Sequence, residues 1–112
     1  MRKTFTIKEK KEILQFLRSL GKDPDEIALV LHTANIKGSI MGFYGNCPVE
    51  EALAQIGYKV RAGGSILPKD YLGMDSNTKS RISTPRAVHQ FIICFDSGEY
   101  PELELKHRKD IQ

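Results

Sequence analysis

The chain has 112 residues, 40% hydrophobic and 28% charged, with 17 Lys plus Arg against 14 Asp plus Glu for a net charge of +3. This is the composition of a soluble globular domain, and the length suits one domain rather than two. No apolar run approaches the ~18 residues of a membrane span, Met1-Arg2-Lys3-Thr4-Phe5 lacks the apolar stretch of a signal peptide, and two cysteines make no disulfide framework; membrane proteins, disulfide-rich toxins, disordered tails and large multidomain enzymes are therefore disfavoured.

Four segments carry a helical apolar stripe. In the first, Ile13, Phe16, Leu17 and Leu20 recur on one face, Thr6 and Glu9 form a capping box, and Gly21 ends the helix. The second begins with Asp23 as cap and Pro24 at the first helical position. Glu26 is expected to complete a second capping box. Ile27, Val30, Leu31 and Ala34 form the stripe, with Gly38 as the expected stop. The short link at Gly21-Lys22-Asp23 predicts an αα-hairpin over 6–38. A DNA-binding helix-turn-helix is disfavoured, because acids at the start of the second helix would meet phosphate. The run Gly38-Ser39-Ile40-Met41-Gly42-Phe43-Tyr44-Gly45 reads as a loop packed on the core. It lacks the Gly-Lys-Ser/Thr of a phosphate-binding loop and the preceding strand of a dinucleotide fingerprint.

Cys47-Pro48-Val49-Glu50 opens the third helix, over 48–56. Its stripe is Val49, Ala52, Leu53 and Ile56, and Gly57 closes it. A β-hairpin follows over 58–67: Tyr58-Lys59-Val60-Arg61-Ala62, a two-residue turn at Gly63-Gly64, and Ser65-Ile66-Leu67. Pro68 stops further pairing. Residues 69–80 are polar and turn-rich and predict a mobile loop, and Arg81-Ile82-Ser83 suits a third short strand. The fourth helix, 85–97, takes Thr84 as cap and Pro85 as first residue. Val88, Phe91, Ile92 and Phe95 form its stripe, and Gly98 ends it. Tyr100-Pro101-Glu102-Leu103 is expected to be extended, with Tyr100 and Leu103 folded back on the core. The reading is an α+β fold in a single domain, 1–112.

Two motifs carry a resemblance: Cys47-Pro48-Val49-x-x-Ala52-Leu53, and Pro85-x-x-Val88-x-x-Phe91-Ile92-x-x-Phe95-Asp96-x-Gly98-x-Tyr100-Pro101-x-Leu103. Over residues 46–103 the chain resembles small uncharacterised bacterial and phage-type proteins that have a helix, a β segment and a final helix with these endings. The resemblance implies a shared fold and a cytoplasmic location. It carries no catalytic or binding residue.

Charge is unevenly placed. Arg2, Lys3, Lys8, Lys10 and Lys11 are offset by Glu9 alone within that stretch. Between Tyr58 and Arg86 stand Lys59, Arg61, Lys69, Lys79, Arg81 and Arg86, against Asp70 and Asp75. Asp96, Glu99, Glu102 and Glu104 then form an acidic stretch, and Lys106, Arg108 and Lys109 a basic tail. Solvated surface charge explains much of this; a basic edge opposite an acidic one would also steer association.

The candidate chemistry is sparse. Cys47 at a helix N-terminus invites thiolate formation through the helix dipole, although His32, His89 and His107 show no spacing of a partner base. A buried capping role is the simpler reading. Cys94, beside the fourth stripe, reads as core, and a 47–94 disulfide is disfavoured in a reducing compartment. No pair has metal-ligand spacing, and no cofactor is implied. The acids Asp23, Asp25, Glu26, Glu50 and Glu51 fall in first helical turns, where the dipole explains them. The strongest constellation is an anion site: Lys59 and Arg61 on the hairpin, with Arg81, Thr84 and Arg86 at the start of the fourth helix, where free amides favour phosphate. Tyr58 or Tyr71 would then stack on a base.

Three function classes remain open. The first is a non-enzymatic regulator or adaptor that binds a protein partner and is able to self-associate as a homodimer. The second is a phosphate-recognising module for nucleic acid or a nucleotide. The third is a cysteine-dependent enzyme acting through Cys47.

Overall fold

Capping chemistry sets where each helix begins and ends, and the computed structural model describes the result for residues 5–40, 46–68 and 81–105. Helix α1 spans Ile7–Ser19. The Thr6 hydroxyl accepts from the Glu9 amide at 3.1 Å, and the Glu9 carboxylate accepts from the Thr6 amide at 2.9 Å. Two otherwise orphan donors are thereby satisfied. Helix α2 spans Pro24–Thr33. Asp23 accepts from the Glu26 amide at 2.9 Å, but the Glu26 carboxylate reaches past the cap and accepts from the Lys22 amide at 2.7 Å.

The sequence placed the stop of α2 at Gly38; the helix ends at Thr33, five residues earlier. Asn35 adopts φ 59°, the left-handed conformation its short polar side chain tolerates. Its amide donates to the His32 carbonyl and the Ile36 amide to the Leu31 carbonyl, the paired bonds of a Schellman motif. Helices α3, Pro48–Gln55, and α4, Arg86–Asp96, end the same way at Gly57 and Gly98, with φ of 102° and 84°. Helix α4 starts one residue later than expected. Pro85 is its cap, and the Thr84 side chain caps nothing.

Strands β1, Val60–Ala62, β2, Ser65–Pro68, and β3, Ile82–Ser83, form one antiparallel sheet in the order β1-β2-β3. Among the described residues, four helices and this sheet make the α+β fold, with the hairpin between α3 and α4. A two-residue turn would pair Ala62 with Ser65. Instead Ala62 pairs with Ile66, Arg61 with Leu67 and Val60 with Pro68. Paired residues share a face. The observed register therefore collects Val60, Ala62, Ile66 and Pro68 on one side, where Ile82 joins them through its pairing with Ile66. The two-residue alternative would pair Ile66 with Arg61 and face both the same way. Burial of Val60, Ile66 and Ile82 decides between the two.

The core joins this sheet face to stripes from all four helices: Ile13, Leu17, Ile27, Leu31, Val49, Leu53, Val88, Phe91, Phe95 and Leu103 are fully or almost fully buried. The Phe91 ring stacks on Phe95 and on Tyr100, with centroids 6.1 and 5.3 Å apart. Four stripe residues depart from expectation, among them Ala34, which is exposed at the cap beyond α2. Val30 is 42% exposed and Ile56 46% exposed, while Phe16 is only half-buried. The cause at Val30 is the docking partner. Helix α2 packs more extensively against α4 than against α1, so the hairpin link does not dictate packing. The buried face of α2 turns onto Ile27, Ala28 and Leu31.

The chain end is not simply extended. Pro101–Leu103 forms a 3-10 turn, while Tyr100 and Leu103 fold back on the core as expected. The Tyr100 hydroxyl donates to Asp25 at 2.8 Å, tying this turn to α2. Beyond it, the Gly38 amide donates to the Leu103 carbonyl at 2.8 Å and the Leu105 amide to the Gly38 carbonyl at 2.9 Å, a single parallel bridge. The Ser39 amide donates to the Asn46 carbonyl at 2.8 Å. Gly38 thus lies where two other stretches of backbone meet. A Cβ there would fall 2.3 Å from the Pro48 nitrogen and 2.5 Å from the Cys47 carbonyl carbon. The mobile-loop expectation for 69–80 and most of the glycine-rich run, 41–45, lie outside the described residues.

Candidate functional site

Strand alternation that buries one face of the sheet fixes what the other presents. Opposite Val60, Ala62, Ile66, Pro68 and Ile82 stand Lys59 and Arg61 from β1 and its approach, Ser65 and Leu67 from β2, and Arg81 and Ser83 from β3 and its approach. Lys59, Arg61, Arg81 and Ser83 are exposed, and Ser65 and Leu67 are half-buried. Among the described residues no acid occupies an outward position on the strands. The pairing of Ser65 with Ser83, carried one step back along β3, sets Arg81 beside Leu67, whose other neighbour is Arg61. Arg61, Leu67 and Arg81 therefore form one row across the sheet. Its outer members are two strand spacings apart, ~9.6 Å.

Backbone bonds fix the surroundings of this row. At the free edge of β1, the Glu50 carboxylate accepts from the Ala62 amide at 2.8 Å and from the Cys47 amide at 2.9 Å. This acid is thus held by α3 and the strand edge. At the turn, the Thr84 amide donates to the Gly64 carbonyl at 3.3 Å, and His89 lies against Gly64. The hairpin tip is therefore docked at the start of α4. Arg86, exposed in the first turn of that helix, follows Ser83 by three residues.

The sequence reading expected Lys59, Arg61, Arg81 and Arg86 to converge on one pocket or groove if the hairpin packs beside this helix start. The described positions follow one another along the sheet toward the helix start. Arg86 lies at the turn end, Arg61 and Arg81 in the middle, and Lys59 at the opposite end. The Thr84 hydroxyl oxygen is buried, without a hydrogen-bond partner among the described residues, and is not presented to a ligand. Lys59 also borders a cleft of about 340 Å³ between α3 and β1, with Asn46, Glu50, Ala54 and Val60.

Cys47 is 6% exposed. Burial, with the Glu50 carboxylate adding to it, pushes its thiol up to about 12. Contacts with the Glu50 and Val49 amides lower the value, the direction expected of a helix start, but desolvation outweighs them. Cys94 sits at the core margin rather than within it, its thiol also raised, first by desolvation and then by Glu99. Both cysteines are free. Tyr58 was a candidate for stacking on a base. Its hydroxyl instead donates to Glu12 of α1, and this bond raises the phenol to about 12. Tyr71 lies outside the described residues. Among the described residues no group of His, Cys, Asp or Glu is arranged to hold a metal, and no helix is long and apolar enough to cross a membrane.

What the sequence reading missed is the row itself. Arg61, Leu67 and Arg81 are distant in the chain, and only the strand register aligns them. The available signal was alternation: outside the Gly63-Gly64 turn, the even-numbered positions Val60, Ala62, Ile66, Pro68 and Ile82 are apolar, and the odd-numbered ones are polar or basic except Leu67. Comparison with protein-family models, with curated proteins and with solved structures finds no match.

Proposed function

We propose that this protein is a non-enzymatic module that binds nucleic acid through phosphate recognition by the outer face of its sheet. The observation supporting this reading is the row Arg61-Leu67-Arg81, continued by Lys59 along β1, with no acid among the described outward positions of the sheet and with Arg86 exposed at the neighbouring helix start. A planar guanidinium is well shaped for phosphate oxygens. A strip of cations follows a polyanion better than it encloses a single small anion. Nucleic acid therefore fits the geometry better than a lone nucleotide.

The cysteine-dependent enzyme is supported less well, because Cys47 is buried and its thiol is raised to about 12, which disfavours thiolate at neutral pH. The protein-binding adaptor retains one observation: Leu29 and Ile93, on the packed pair α2 and α4, are 65% and 53% exposed.

The test is fluorescence anisotropy of a labelled mixed-sequence oligonucleotide at several salt concentrations. Four phosphate contacts predict a loss of about 10²-fold in affinity between 50 and 200 mM salt. Arg61→Ala and Arg81→Ala should each flatten the salt slope by about one. Binding that ignores salt or is unchanged by both substitutions refutes the reading. Recovery from cell extract of one protein prey, indifferent to nuclease, would favour the adaptor.

A further inference from the structure

The shape of the same face narrows the class of nucleic acid. Resting on the reading above, we propose that the outer sheet face enters the major groove of duplex DNA, with Arg61 and Arg81 toward the two groove walls and Leu67 over the base edges.

Three observations support this. The first is width. Arg61 and Arg81 lie on strands two spacings apart, ~9.6 Å of backbone. The major groove of B-form DNA is ~12 Å wide and the minor groove ~6 Å. The spacing of the two outer strand axes is smaller than the former width and larger than the latter.

The second is the order of side chains across the row: cation, apolar, cation. A surface built only to neutralise phosphates gains nothing from a central leucine. The major-groove floor offers an apolar partner in the thymine methyl, and the groove edges offer phosphates on both sides. The neighbouring row pairs Ser65 with Ser83, whose short hydroxyls both donate and accept, as base edges require.

The third is the identity of the outward positions. Lys59, Arg61, Ser65, Leu67, Arg81 and Ser83 include no aromatic ring, and Tyr58 is held by Glu12. Single-strand binders use aromatic platforms for base stacking. The described positions of this face have none, and a base-paired duplex needs none. The A-form RNA helix has a major groove too deep and narrow for side chains to read.

The experiment measures anisotropy at one salt concentration with a labelled DNA duplex, each of its separated strands, and the RNA duplex of the same sequence. The duplex DNA should bind about tenfold or more tightly than the other probes. An unlabelled minor-groove ligand, netropsin, should leave its affinity unchanged. Leu67→Ala should reduce the preference for the duplex over the single strands while keeping the salt slope, with circular dichroism confirming the fold. Arg81→Ala, at an exposed position, should weaken duplex binding without disturbing the fold. Equal affinity for single strands or RNA, or displacement by netropsin, overturns the groove assignment and leaves phosphate recognition standing. Failure of every probe to bind overturns both.

Discussion

Gly38 offers the sharpest test of how the chain is held together. Its φ is not positive, so space rather than conformation requires glycine there. Alanine would place a Cβ 2.3 Å from the Pro48 nitrogen and 2.6 Å from the Asn46 oxygen, both backbone atoms that cannot rotate away. Restoring an ordinary contact means separating the two backbones by about 1 Å. Three bonds sit at this crossing: the Gly38 amide to Leu103, Leu105 to the Gly38 carbonyl, and Ser39 to Asn46. At 2.8–2.9 Å each, they would stretch past useful length. Losing them costs about 1 kcal/mol apiece, and residual overpacking adds about 1–3 kcal/mol. The expected loss is therefore about 4 kcal/mol or more, a large share of the ~5–15 kcal/mol by which a domain is stable. In urea, with a slope of about 1.5 kcal/mol per molar, the midpoint should fall by about 3 M or more. Gly63→Ala is the control: nothing lies within 4 Å of its Cβ position, and its effect should stay within about 0.5 kcal/mol. A midpoint shift for Gly38→Ala under about 0.5 M would refute the crossing as described.

Phe91→Ala, at a fully buried ring stacked on Phe95 and Tyr100, should cost about 3–5 kcal/mol in chemical denaturation. Val30→Ser, at a site the stripe would have buried, should change stability by less than about 0.5 kcal/mol in the same assay. Tyr100→Phe removes the hydroxyl bond to Asp25 and should cost about 1–2 kcal/mol, read as a lowered melting temperature. Cys47, raised from 9.0 to about 12, binds its proton more tightly when folded, so its contribution is complete below pH 9 and is lost as pH rises toward 12. Tyr58 and Tyr100 are shifted in the same direction, and denaturation midpoints should decline over this alkaline range. Cys47→Ala should make the decline shallower. Alkylation of Cys47 at neutral pH should be slow until denaturant is added, as mass spectrometry would show; rapid labelling of the folded protein would contradict its burial.

Much of the fold follows from local chemistry. The capping pair Thr6 and Glu9, the prolines at the starts of α2 and α3, and the glycines ending α3 and α4 act within a few residues of themselves. Their meaning is legible wherever they occur in a chain. The stripe of α4 is equally plain, because four large apolar residues share one face and all four are buried. The candidate site was legible only in its parts: its cations could be named, but not their arrangement.

What tertiary structure decided is each feature that depends on a distant neighbour. Helix α2 docks on α4, so Ala28 is buried and Val30 is not, although both are small apolar residues of one helix. Gly38 looks like a helix stop until Leu103 and Pro48 are brought beside it. Cys47 stands at a helix start that favours thiolate, yet the core closing around it imposes a larger desolvation in the opposite direction. Arg61 and Arg81, twenty positions apart, share one row because burial of Val60, Ile66 and Ile82 permits one register and not its neighbour. Local sequence determines which elements form, since caps and periodicity act over a few bonds. Which faces meet, and therefore which charges align, depends on side chains far apart in the chain competing for the same interior.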